Sequence, residues 1–329
     1  MTAMGDHALL DRVLTDADPA RTPRDAHPDA AALRMRDRII RDSRAPRRSR
    51  AVAVGWASGL ATAAAAAVVA VAVLVPQGDA VAEGLDPLDF TSAMSTAATV
   101  ETAQEALASG DGPVAPERLV RSASWAFTID GSTGETEVVP QLTVLEWEAD
   151  LSGHVTSVLG VPYDPADATA NMGAEVSSSG QVSVDLPIEP GQFATAVPEP
   201  FGNSERDVEA ALWAFGMPAD PTGAELLTAM TTMLQQWTLT DQQQSQMLGI
   251  LEATGDAQGL GSTVDRLGRP ATGLRVVSDD GTASDVVLIS ADTGRIIGIE
   301  RTNLENTDLI DAGAVVSYTL WDVDESLIR

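Results

Sequence analysis

Chemistry needs particular side chains at particular spacings, and this sequence offers few. It contains no Cys, which excludes disulfides, thiolate nucleophiles and cysteine-based zinc sites. Of its three His residues, His7, His27 and His154, only the last falls after residue 76. A single His following a turn glycine, Gly153, makes no HExxH zinc pair, and without a GxSxG elbow it makes no serine hydrolase triad. His154 is expected to be a solvated turn residue. No P-loop, no GxGxxG and no DxDxDG-type calcium loop occurs. Acidic residues abound, yet no pair is set apart by its place at a strand end, so they read as a solvated face. No catalytic, cofactor-binding or metal-ligating residue is nominated, and a non-enzyme is expected.

Charge is divided sharply along the chain. Residues 1–50 carry eleven Arg against eight Asp, a net of +3, whereas residues 76–329 carry nine Arg against forty acids, a net of −31. So acidic a region repels phosphates and lacks the basic stripes that nucleic acid binding requires, so no nucleic acid partner is expected. There is no Lys at all. With abundant Ala, Arg and Asp this reflects coding bias rather than mechanism.

The two regimes meet at Ala51–Val75, twenty-five residues without a charge, eleven of them Ala and seven Val. As a helix the run reaches roughly 37 Å, enough for a hydrocarbon core of about 30 Å. Eight Arg between Arg34 and Arg50 precede it, and the next basic residue after it is Arg118. Positive residues stay on the cytoplasmic side, so the amino terminus is expected inside and the acidic region outside. Trp56 sits near the inner end, at headgroup level. Ala80-Val81-Ala82 has the form of a signal-peptide cleavage site, but the apolar run is longer than a signal peptide's and begins after fifty residues, which favours a retained anchor. Gly55 and Gly59 have GxxxG spacing, although small residues four apart are unavoidable in so Ala-rich a segment. The expected organisation is a basic cytoplasmic tail (1–50), a transmembrane helix (51–75), a linker (76–90) and an extracytoplasmic domain (91–329) in the cell membrane.

In the tail, Leu9, Leu10, Val13 and Leu14 form i, i+4 pairs suited to a short amphipathic helix. The basic stretch Asp29–Arg44 reads as a topology determinant resting on the membrane surface or as a docking peptide for a cytoplasmic regulator.

The outer domain alternates between periods. Thr91–Ala108 predicts a helix. Ala123, Trp125, Phe127 and Ile129 alternate with polar residues, and Gln141–Ala149 repeats the pattern with Leu145 and Trp147 on one face, Leu142 and Val144 on the other. Asp150-Leu151-Ser152-Gly153 turns the chain into a third strand, His154–Leu159. Residues 160–204, rich in Pro, Gly, Ser and Asp, read as a long loop, ordered or mobile. Capping signals follow at Ser204/Asp207 and Thr240/Gln243, and Leu226, Leu227, Met230, Met233, Leu234 and Trp237 mark the clearest amphipathic helix. Strands are expected at 262–267, 272–278, 285–290, 295–301 and 315–321, with turns at Asp279-Asp280-Gly281 and Asp292-Thr293-Gly294. Helix, strands, helices, strands: the order predicts an α+β domain, an antiparallel sheet packed on a helix cluster.

The stretch Asp29–Ile40, the Ala/Val span, Arg121–Phe127, Leu145-Glu146-Trp147 with Asp150–Gly153, and Arg266-Leu267-Gly268-Arg269 before Asp292–Arg295 together resemble an uncharacterised family of actinobacterial single-pass membrane proteins, sometimes labelled anti-sigma-factor-like. The resemblance implies a topology and no chemistry. The order of elements also looks like the open half-barrels of periplasmic lipoprotein carriers and of sensors that regulate anti-sigma factors. Two roles are thus expected of the anchored domain. One is regulatory or sensing, with a cytoplasmic partner at the tail; the alternative is a binding module for lipid or another apolar envelope ligand.

Overall fold

The computed structural model describes residues 85–126, 139–162, 176–307 and 310–328. The tail and the span at 51–75 lie outside the described residues, as do Phe127 and Ile129. Among the described residues, no helix is long and apolar enough to cross a membrane.

The described domain is α+β: nine antiparallel strands in one open sheet and four α-helices. Helix α1 (Thr96–Ala108) comes first, then strands β1 (Leu119–Ala126), β2 (Gln141–Trp147), β3 (Gly153–Gly160) and β4 (Ser178–Ile188). Helices α2 (Glu205–Ala214), α3 (Gly223–Leu234) and α4 (Asp241–Thr254) follow. Strands β5 (Gln258–Val264), β6 (Pro270–Val277), β7 (Ala283–Ser290), β8 (Ile296–Asn303) and β9 (Val315–Trp321) complete the sheet. The spatial order is β4-β3-β2-β1-β9-β8-β7-β6-β5, two meanders joined where β1 pairs with β9. Strands β4 and β5 are its edges.

Local chemistry sets the boundaries. Helix α1 starts at Thr96, later than its apolar pattern, because the Ser95 hydroxyl accepts from Ala98 N and caps it there. Helices α2, α3 and α4 each open with a complete capping box, at Ser204/Asp207, Thr222/Glu225 and Thr240/Gln243. The turn between β2 and β3 places Leu151 at φ 62°, with Ser152 N donating to Asp150 Oδ1. Strand β5 ends at Val264, short of the predicted 267, because the Asp265 carboxylate accepts from Leu267 N and Arg269 N and turns the chain.

Both faces of the sheet are covered over β6–β9. On one side the helices bury Val287, Ile289, Ile296 and Trp321 against Met233, Trp237, Met247 and Leu248. On the other, Leu85, Leu88 and Phe90 cross with Val323 and Ile328 over Val286, Leu288, Ile297 and Tyr318. That double cover explains why β7 is buried at every position but its last. Packing already begins at Leu85, 1% exposed, whose carbonyl accepts from Val315 N.

One strand departs from the expected pattern. Strand β4 lies inside the stretch read as a loop, and its Val182-x-Val184-x-Leu186-x-Ile188 alternation is a strand signal concealed by the surrounding Ser, Gly and Pro. Unlike β7, it is exposed along nearly its whole length.

Candidate ligand-binding face

Directly paired residues of an antiparallel sheet share a face, so the register defines rows of side chains running across the strands. Val120 pairs with Leu145, Leu145 with Val155 and Val155 with Leu186. The first three are buried on the helix-facing side, at 4–5% exposure; Leu186 ends the row at 52%. The neighbouring row runs Ser122, Thr143, Ser157, Val184, and the next runs Trp147, Gly153, Ile188. Core-facing positions therefore continue to the open edge, where Val184 and Leu186 reach solvent and Ile188 packs partly on the core.

The backbone of β4 is poorly suited to receiving another strand. Its register slips twice, at Ser157/Val158 and Leu159/Gly160, and Pro187 has no N–H to offer. Bulges, proline and an edge charge, here Asp185, are the usual protections against edge-to-edge pairing. What β4 presents is apolar side chains.

Inward from this strip lies an aromatic cluster. Phe193 stacks on Trp147 at 4.8 Å, Trp237 meets Trp147 edge-on at 4.8 Å, and Phe201 meets Trp237 edge-on at 6.2 Å. The indoles are held by Trp147 Nε1 donating to Gln236 O and Trp237 Nε1 donating to Val197 O. The Arg118 guanidinium lies 4.8 Å from the Trp147 ring centre and 5.2 Å from that of Trp237, both within cation–π range. It donates to Pro198 O at 2.7 Å and pairs with Glu199 at 3.5 Å.

Deeper still, Arg295 donates to Asp241 at 2.6 Å, to Asp322 at 2.8 Å and to Leu239 O at 3.1 Å. Burial opposes its charge, but Asp322 and Asp241 outweigh that and hold the guanidinium above its ordinary value. Gly112 N donates to the same Asp241, so closely that a Cβ at Gly112 would collide with the carboxylate. This knot ties β8, the N-terminus of α4, the end of β9 and the loop after α1 together. Beside it is a crevice of about 10 Å³ lined by Trp237, Leu239, Gln244, Arg295 and Trp321. That is about the space of one water molecule. An acyl chain does not fit that crevice; among the described residues the large apolar side chains that reach solvent are Val182, Val184 and Leu186, alternating along one strand, and Val114, Val161, Trp213, Val264 and Val277, which stand apart in sequence.

His154 lies in β3 on the opposite face from the strip, half exposed and 2.5 Å from the Asp185 carboxylate. Among the described residues, no group of three or more His, Cys, Asp or Glu is placed to hold a metal. Val184, Leu186 and Arg118, the residues this face brings forward, were not nominated from the sequence. A period-2 count over 182–188 carries the signal for the first two; nothing local marks Arg118.

No protein-family model matches the chain, and no curated protein matches it. Two solved structures are similar over most of their length. An outer membrane lipoprotein-sorting protein domain from Vibrio parahaemolyticus is 10% identical with a TM-score of 0.19, over 70% of this chain and 96% of its own. A DUF1329 family protein from Desulfovibrio piger is 12% identical with a TM-score of 0.20, over 71% of this chain and 99% of its own. Overlaps this loose assign neither ligand nor activity.

Proposed function

We propose that this chain is a membrane-anchored, non-catalytic binding module that takes an apolar cell-envelope ligand, a lipid or acyl chain, at the uncovered β4 strip. The reading is carried by the row Val120–Leu145–Val155–Leu186, which is core for three strands and solvent-exposed at the fourth. Exposed aliphatics next to a blunted backbone edge suit a ligand recognised by side-chain contact, not one recognised by strand pairing. Anchoring by residues 51–75, with the amino terminus inside, belongs to the same proposal. A regulatory or sensing role rests on the tail and span; binding of residues 1–50 to a cytoplasmic regulator would support it.

The test is photolabelling of the full chain, reconstituted in phosphatidylcholine nanodiscs, with a diazirine-bearing fatty acid. Adducts should map to the peptide containing Val182–Ile188 as well as to 51–75. Labelling confined to 51–75 would refute the binding reading.

A further inference from the structure

Resting on the reading of the β4 strip as an acyl-chain surface, we infer that the ligand is an anionic amphiphile. Arg118 anchors its headgroup, and Glu199 occupies that anchor when no ligand is bound.

The strip lies on β4, two strands from Trp147 on β2, a distance of about 10 Å at the usual strand spacing. Arg118 stands over Trp147, so an acyl chain along Ile188 and Leu186 brings its polar end towards this guanidinium. The chain around that stretch supplies no other Arg or Lys, and its one His, His154, lies on the opposite face of β3. From Ser122 to Glu205 the sequence contains no Arg or Lys, and Arg121 alternates with Val120 onto the opposite side of β1. In a domain of such negative charge an anionic head is repelled at long range, and screening confines that repulsion to roughly 8 Å at physiological salt. Binding one therefore requires a cation held locally.

Arg118 is held that way. Two indole ring centres lie 4.8 and 5.2 Å from its guanidinium carbon, its side chain is 21% exposed, and Nε is buried with no hydrogen-bond partner among the described residues. A guanidinium offers five donors in a fixed fork matched to carboxylate or phosphate. Here its named acceptors are one carbonyl, Pro198 O, and one carboxylate, Glu199. The Glu199 contact is the weaker of the two, at 3.5 Å from a side chain 76% exposed. Glu199 thus holds the place of an anion without a built pocket of its own, and a ligand carboxylate or phosphodiester can displace it. The shared chemistry is an acyl chain with a singly charged oxyanion head.

The test compares diazirine probes with matched chains on the full protein in phosphatidylcholine nanodiscs: a fatty acid, a phosphatidylglycerol and a fatty alcohol. Adducts at 182–188 are read relative to those at 51–75. Wild type should favour an anionic probe over the alcohol by about ten-fold, the scale of one charge-assisted hydrogen bond. The stronger of the two anionic probes identifies the head as carboxylate or phosphodiester. Glu199→Gln should widen the preference and, being exposed, leave the fold intact; Arg118→Gln should abolish it. Equal labelling by acid, phosphatidylglycerol and alcohol in wild type, or a preference unmoved by Glu199→Gln, overturns the headgroup assignment while leaving the strip in place. Absence of labelling at 182–188 by all three probes overturns the strip itself.

Discussion

Arg295 and Asp285 show how differently buried charge behaves at two positions of one sheet. Arg295 is 8% exposed, but two carboxylates and a carbonyl satisfy it, so removing it strands Asp241 and Asp322 together. Arg295→Ala is expected to lower the free energy of unfolding by about 3–5 kcal/mol, as measured by urea titration. Asp285, 9% exposed, is paired among the described residues with Arg301 alone, at 3.8 Å and itself half exposed. Burial pushes its carboxyl above the ordinary value, and Arg301 only partly offsets this. An acid whose folded value is raised favours folding when protonated. That contribution is complete below the ordinary carboxylate range, about pH 4, and is lost as pH rises through the raised value. Asp285→Asn, neutral throughout, should therefore raise the melting temperature at pH 7 by an amount equivalent to about 1 kcal/mol. The gain should shrink towards zero when melting is repeated below pH 4; an equal gain at both pH values would contradict the assignment to charge burial.

The helices owe their starting points to side chains that the sequence displays openly. Ser204/Asp207 and Thr240/Gln243 were readable as caps because a capping box is local, four residues long and independent of the rest of the fold. The amphipathic pattern Leu226–Trp237 and the strand at Val315–Trp321 were readable because each follows one period, although the helix ends at Leu234 and Trp237 lies beyond its cap. Strand β4 was not, since it buries neither face and sits among Ser, Gly and Pro. The Arg118–Trp147–Trp237 assembly was not legible either, because its members lie up to 119 residues apart and meet only through the register and the loop after α3. Caps also differ in depth. Thr240 is 3% exposed and its hydroxyl additionally contacts Asn203, whereas Ser204 is exposed. Thr240→Ala should cost about 2 kcal/mol and Ser204→Ala about 1 kcal/mol, by chemical denaturation; the opposite order would contradict the depth argument.

At the scale of the whole molecule, cover decides what each half of the sheet can do. Strands β6–β9 are sandwiched between helices on one face and the 85–90 segment with the C-terminus on the other. The β4 edge lacks both covers and carries the apolar strip. The proposed orientation is checked with single cysteines, since the chain has none of its own. Val114→Cys, at a position 99% exposed, should react with a membrane-impermeant thiol reagent on intact cells, and Ala20→Cys should not; the reverse would invert the topology. The strip is tested most directly by the double variant Val184→Asp/Leu186→Asp, photolabelled with the diazirine fatty acid in nanodiscs and read as adducts at 182–188 relative to 51–75. Both positions are exposed, so stability should change by no more than about 0.5 kcal/mol per site. The account predicts at least about a ten-fold fall in that ratio, the equivalent of 1.4 kcal/mol of lost apolar contact. An unchanged ratio in a folded variant would contradict it.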